Sequence, residues 1–176
     1  MRRVFLVGYM GAGKTTLGRE VAAKLGLAFI DLDHYIENRY HKTINVLFDE
    51  HGEAGFRALE SKILKEVGLF EDVLISTGGG TPCFFDNLDY MNEHGVAVYL
   101  KTSPDVLFSR LRVAKANRPI LKDKTDEELI SFIAENLLKR EPFYLRSRLI
   151  FDADQLDSRS QLNTAVEKLA GLLLND

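Results

Sequence analysis

"GYMGAGKT", residues 8–15, decides how this chain folds. The stretch matches the G-x-x-x-x-G-K-[ST] phosphate loop, with the apolar run "VFLV" directly ahead of it and the helical pattern "TTLGREVAAKLG" directly behind. Strand, glycine loop and helix in that order form a cradle for phosphate. Glycines let successive amides turn inward around phosphate oxygens, and the helix N-terminus adds the positive end of its dipole. Lys14 would reach the β and γ phosphates, and Thr15 would offer its hydroxyl to Mg²⁺. A glycine-rich turn that binds nothing has no reason to carry both Lys14 and Thr15.

Outward from this loop, apolar runs near 3–7, 28–32, 73–77, 96–100 and 148–152 alternate with stretches of helical period. "VFLV", "VLIS" and "VAVYL" are apolar at consecutive positions, as strands of a parallel sheet covered on both faces must be. The last stretch, "SRSQLNTAVEKLAGLLL", reads as a core-packing helix with Leu162, Val166, Leu169 and Leu173 on one side. With 176 residues, 45% of them hydrophobic, the chain suits one domain. A net charge of -3 with mixed signs excludes a polycation for nucleic acid and an acidic disordered tail. No apolar run approaches the ~20 residues of a membrane span. The two arginines of "MRRVFLV" imitate a secretion signal, but the apolar part is too short, so a first strand in a cytoplasmic protein is expected. Cys83 has no partner for an intramolecular disulfide and no evident base nearby, which reads as an idle thiol in a reducing compartment.

A phosphate loop of this kind usually works with an Asp at the end of another strand. The run "VLIST" has none; "AFIDLD" ends in two. Asp31 and Asp33 are two apart, so on an extended chain they share one side. Asp31 is assigned toward Mg²⁺ and Asp33 toward the group that accepts phosphate. In place of a carboxylate, "LISTGGGTP" offers three glycines, residues 78–80, which implies either unusual backbone angles or very close approach to bare main chain.

Residues 53–67 read as a helix with Phe56, Leu59, Ile63 and Val67 inward; Arg57 borders that stripe, and Glu60 at i+3 can orient it. Arg140 lies just before a proline expected to break its helix. Two guanidinium forks near a phosphate loop point to an anionic acceptor, a carboxylate held bidentately. Residues 110–124, "RLRVAKANRPILKDK", hold six Lys or Arg against one Asp and read as a lid loop that brings Arg118 to the moving charge.

Taken in order, the phosphate loop, "DLD", "GEAGFRALE", "STGGGTP", "NRPIL" and "KREPFY" resemble the shikimate kinase family from end to end. The resemblance implies a three-layer α/β/α P-loop kinase fold: a five-stranded parallel sheet with a substrate-binding helical insert at about 33–62 and a lid at about 112–124. It implies transfer of the γ-phosphoryl group of ATP, with Mg²⁺, to the 3-hydroxyl of shikimate, giving shikimate 3-phosphate on the way to chorismate and the aromatic amino acids. Gly11, Ala12, Gly13, Lys14, Thr15 and Thr16 would bind nucleotide phosphates, and Arg110 would flank the adenine. Asp31 would hold the metal through water. Asp33 would take the attacking hydroxyl, either as base or as orienting group. Gly78, Gly79 and Gly80 would wall the acceptor, Arg57 and Arg140 would grip its carboxylate, Glu60 would hold Arg57, and Arg118 would act from the lid. A monomer without nucleic-acid or membrane partners is expected.

Two departures stand out. "RPIL" replaces the Arg-Pro-Leu-Leu of many relatives, a swap of similar volume. After the last strand, "FDADQLDSRS" lacks the basic residues that seat adenine in many relatives, so no contact is assigned at 152–159. Two other readings compete. A gluconate-type kinase would share the phosphate loop but has no reason to combine the glycine triplet with Arg57 and Arg140. A GTPase switch matches "DEHG", residues 49–52, yet no Asn-Lys-x-Asp sequence occurs.

Overall fold

Five parallel strands form one sheet: β1 (Arg3–Val7), β2 (Ala28–Asp31), β3 (Val73–Ser76), β4 (Val96–Lys101) and β5 (Leu149–Asp152), in spatial order β2-β3-β1-β4-β5. The computed structural model describes residues 2–118 and 120–175; Pro119 of the "RPIL" motif lies outside them. Residues 4–7 of β1 and 73–76 of β3 are buried without interruption. Successive side chains on a strand face opposite ways, so an unbroken buried run requires cover on both faces, and this is the expected three-layer α/β sandwich. Register runs Phe5↔Ile75 on one side of β1 and Phe5↔Ala97 on the other.

Helices α1 (Lys14–Leu25), α2 (Leu32–Tyr40), α3 (Ile44–Val67), α4 (Asn87–His94), α5 (Pro104–Ala114), α6 (Asp126–Tyr144) and α7 (Arg159–Asn175) connect and cover the strands. The chain leaves β1 with β3 on one flank and β4 on the other. In such a sheet a crevice opens at the carboxyl ends where the winding changes direction. The phosphate loop follows β1 and the glycine triplet follows β3, its immediate neighbour, so the two are brought side by side. Thr77 completes the join, donating its amide and its hydroxyl to the carbonyl of Leu6 at 3.1 and 2.9 Å.

Three local readings change. The basic stretch begins as helix, not loop: residues 110–114 belong to α5, where Leu107 and Leu111 are fully buried. Its many charges lie around a buried stripe too short to register as a period. Pro142 does not break α6, which runs on to Tyr144. Proline frees only one carbonyl, that of Leu138, a residue 79% exposed, where solvent can take the place of the lost donor. Finally, α3 starts nine residues before the expected helix and kinks at Gly52, with φ 67° and ψ 176°. The "DEHG" match therefore lies on a helix and its kink, not at a strand end. The amphipathic C-terminal helix forms as expected, with Leu162, Val166, Leu169 and Leu173 buried. Among the described residues, no helix is long and apolar enough to cross a membrane.

Candidate active site

Gly11 and Gly13 of the loop after β1 take φ of 81° and 91°, the left-handed region that a side chain disfavours. Gly13 is the N-cap of α1, and no side chain occupies its capping position. The first amides of α1 are therefore left without a side-chain cap, and their residues line a cleft, as an anion site requires. Lys14 folds back over the loop and donates to the carbonyls of Gly8 at 2.7 Å and Tyr9 at 3.0 Å. Burial lowers its pKa to about 8, against the opposing pull of Asp33. A phosphate beside it would restore the charge.

The hydroxyl of Thr15 donates to Oδ2 of Asp31 at 2.9 Å. Asp31 ends β2 and caps α2, accepting from the amide of His34. The extended geometry expected across "DLD" does not hold, because α2 begins at Leu32. Asp33 reaches the same crevice from the first helical turn instead. Burial first, then Glu60 and Asp31, raise its carboxyl to about 6. Thr15 and Asp31 supply paired hard oxygens of the kind Mg²⁺ prefers. Among the described residues no group of three or more His, Cys, Asp or Glu could hold a metal, so Mg²⁺ would complete its shell with phosphate oxygens and water.

None of residues 78–80 has positive φ, so unusual backbone angles are not why three glycines stand here. Close approach is. A Cβ on Gly78 would lie 3.1 Å from Oε1 of Glu60 and 3.2 Å from Oδ1 of Asp33; one on Gly79 would lie 3.3 Å from Arg140; one on Gly80 would lie 2.6 Å from Arg57. Each glycine leaves room for a charged side chain.

Those charges are held firmly. Arg57 donates to Glu60 at 2.9 Å, with the two side chains 11% and 1% exposed. Its guanidinium carbon lies 4.4 Å from the Phe84 ring centre and 5.6 and 5.5 Å from those of Phe48 and Phe56. Its buried Nε makes no hydrogen bond in the structure. Behind it a buried relay runs from Thr81 to Glu60 at 2.7 Å, from Asn87 to the Thr81 carbonyl at 2.9 Å and from Ser61 to Asn87 at 2.6 Å. Arg140 projects from α6 over the ring of Tyr9, 5.7 Å away. Cys83 sits close to both arginines, yet burial pushes its thiol up to about 11, so it stays protonated.

Two clefts result. One, of about 480 Å³, is lined by Gly11, Gly13, Lys14, Thr15, Thr16, Asp31 and Arg110, among others. The other, of about 920 Å³, is lined by Arg57, Glu60, Gly80, Arg140 and the helices around Phe48 and Asp49. Met10, Asp33, Gly78, Gly79 and Arg118 line both. Ala12, within the same loop, is fully buried and lines neither cleft.

Arg110 is strapped down, donating to Asp157 at 2.9 Å, to the carbonyls of Ala153 and Asp154 at 2.9 and 3.0 Å, and to Gly11 at 3.3 Å. The segment after β5, to which no contact was assigned, thus enters the first cleft through Leu156 and Asp157. Sequence reasoning also passed over Tyr9, Phe48, Phe84 and Tyr144. The aromatics carry no local signature. Tyr144 had one: it stands at i+4 from Arg140, concealed by reading Pro142 as a helix end.

Residues 10–170 match the family model described as shikimate kinase. A shikimate kinase of Bacteroides fragilis is 60% identical over 173 residues, covering 98% of this chain and 97% of that protein. The crystal structure of shikimate kinase from Bacteroides thetaiotaomicron superposes with a TM-score of 0.96 at 57% identity and covers 98% of both chains. Shikimate kinase from Acinetobacter baumannii in complex with shikimate gives 0.83 at 32% identity, covering 100% of this chain and 95% of that one.

Proposed function

Because the chain belongs to the shikimate kinase family, we propose that its two joined clefts divide the family's reaction between them, nucleotide in the smaller and shikimate in the larger. The chain is an ATP-dependent kinase that phosphorylates shikimate at the 3-hydroxyl. What carries the assignment of sites is the shared wall: Asp33, Gly78, Gly79 and Arg118 face both clefts, with the phosphate loop on one side and two arginines on the other.

On this reading the amides after Gly13, with Lys14, Thr15 and Thr16, hold the phosphates, while Arg110 braces the nucleotide end. Mg²⁺, when bound near Thr15 and Asp31, neutralises phosphate charge. Phosphoryl transfer passes through a loose transition state, so the protein's share is positioning and charge neutralisation. Arg57 and Arg140 orient the acceptor by its carboxylate, Asp33 receives or directs its hydroxyl, and Arg118 moves in with the lid, residues 112–124. The insert, residues 33–62, supplies Asp33, Arg57 and Glu60. A cytoplasmic monomer is proposed with these assignments.

The direct test is ADP release by purified protein with ATP and Mg²⁺, offered shikimate, gluconate, nucleoside monophosphates or no acceptor. Shikimate alone should drive turnover; gluconate doing so equally would overturn the reading. Arg57→Lys tests the carboxylate grip. Lysine keeps the charge but loses the fork and the flat face over Phe84. The expected loss in kcat/KM for shikimate is roughly 1.5 to 3 kcal/mol, the range for a hydrogen bond to a charged group, with ATP binding nearly unchanged. Against an analogue whose carboxylate is a neutral amide, the variant should lose little more than the wild type. An equal penalty on both acceptors would mean that Arg57 only holds α3 together.

A further inference from the structure

We infer that Tyr144 is a positioning residue for the acceptor cleft: its hydroxyl fixes the middle glycine of the triplet against Arg140 and the phosphate loop. The inference rests on the reading that Gly79 and Arg140 hold shikimate.

Three carbonyls in a row must be fixed where the chain turns out of β3. Those of Gly78 and Gly80 accept main-chain amides, from Thr81 at 3.2 Å and Cys83 at 2.9 Å. That of Gly79 accepts the Tyr144 hydroxyl at 2.5 Å. The middle residue is thus held by a side chain from a different layer of the fold. It is also the meeting point of both clefts. A Cβ there would lie 3.3 Å from the Arg140 guanidinium, 3.5 Å from the amide of Met10 and 3.6 Å from the carbonyl of Gly8.

Arg140 and Tyr144 stand one turn apart on α6, so they share a face. Both therefore reach Gly79, and the Arg140 guanidinium faces the Tyr144 oxygen. The ring is fully buried and packs on Tyr99, with centroids 5.1 Å apart. Burial raises the Tyr144 pKa, which keeps the phenol a neutral donor. Packing alone would be met by phenylalanine. The oxygen serves Gly79, whereas the hydroxyl of Tyr99 in the same stack serves Glu141 at 3.1 Å. Tyr99 is the matched control for losing a buried hydroxyl in this region.

The experiment compares wild type, Tyr144→Phe, Tyr99→Phe, Arg140→Lys and the Arg140→Lys/Tyr144→Phe double variant by steady-state kinetics. Leaving a buried carbonyl without its donor should raise KM for shikimate roughly 5- to 50-fold in Tyr144→Phe, with KM for ATP within about twofold and kcat within about threefold of wild type. Tyr99→Phe should leave KM for shikimate within about twofold. The double variant should lose less than the sum of the singles, because both act on one contact. Equal rises in both KM values, or an unchanged KM for shikimate while Arg140→Lys raises it, would overturn the role of Tyr144 alone. If Arg140→Lys itself leaves KM for shikimate unchanged, the underlying assignment of Arg140 falls instead. Should Tyr144→Phe not fold, site-specific 3-fluorotyrosine at position 144 keeps the volume and donates more strongly. KM for shikimate should then fall, and an unchanged value would overturn the inference.

Discussion

Lys14→Ala is expected to lower kcat by a factor on the order of 10² or more while leaving the protein folded. The ammonium is half-buried and rests on the carbonyls of Gly8 and Tyr9, poised over a loop whose left-handed glycines keep their angles without it. In the proposed role its attraction would grow as charge develops on the transferring group, so the loss should fall on turnover more than on nucleotide binding. Stability should move the other way. Burial lowers the Lys14 pKa from 10.5 to about 8, so the folded, ligand-free protein holds this proton more weakly than the unfolded chain. The charge therefore costs stability below about pH 8, and the cost disappears as pH rises through 8 toward 10.5, where both states become neutral. Without nucleotide at pH 7, Lys14→Ala should melt no lower than wild type, with the difference shrinking at alkaline pH. Added ATP should raise the melting temperature of wild type more than that of the variant. Near-normal turnover would remove Lys14 from the mechanism; a lower melting temperature without ligand would make it a structural residue.

Asp33→Asn should lower kcat by roughly 10² to 10⁴, the usual share of a positioned proton acceptor. The carboxyl sits among Glu60, Asp31 and Glu37, with the Lys14 ammonium opposing them, and burial carries it to about 6. For the free enzyme, kcat/KM of the wild type should fall as pH drops through about 6 if Asp33 receives or directs the hydroxyl, because the protonated acid would no longer accept from it. In the Asn variant that limb should be absent. The stability sign follows from the same shift. The folded state holds the Asp33 proton more tightly than the unfolded state, so the group's contribution is fully present below pH 3.8 and lost as pH rises through about 6. Asp33→Asn should consequently raise the melting temperature of ligand-free protein at pH 7 and lose that advantage near pH 3.8. Asp31→Asn provides the contrast: it touches Thr15, so it should raise the Mg²⁺ concentration needed for half-maximal rate, which Asp33→Asn should leave alone. Exchanged Mg²⁺ phenotypes would reverse the two roles, and a full-rate Asp33→Asn enzyme would reduce Asp33 to a cleft wall.

Lys14 and Asp33 oppose each other across one point, each shifted toward neutrality by burial and back toward charge by the other. Such mutual support explains why two costly charges persist at the junction of the clefts. Substrate phosphate on one side and acceptor hydroxyl on the other would complete their solvation.

By itself, the sequence determined the elements whose cause is local. Consecutive apolar residues specify buried parallel strands, because a sheet covered on both faces leaves no polar side. The glycines at 11 and 13 specify a loop because their left-handed angles exclude side chains. Tertiary structure decided what depends on neighbours distant in the chain. The triplet at 78–80 could be read as strange angles or as close approach, and only the arrival of Asp33, Arg57 and Arg140 from α2, α3 and α6 shows that approach is the reason. The partner of Tyr144 is 65 residues away, and that of Arg110 is 47, across elements whose packing no short window encodes. Pro142 and the helical start of the basic stretch escape a local reading for the same reason: packing of α5 and α6 on the core outweighs a single lost hydrogen bond or a run of charge.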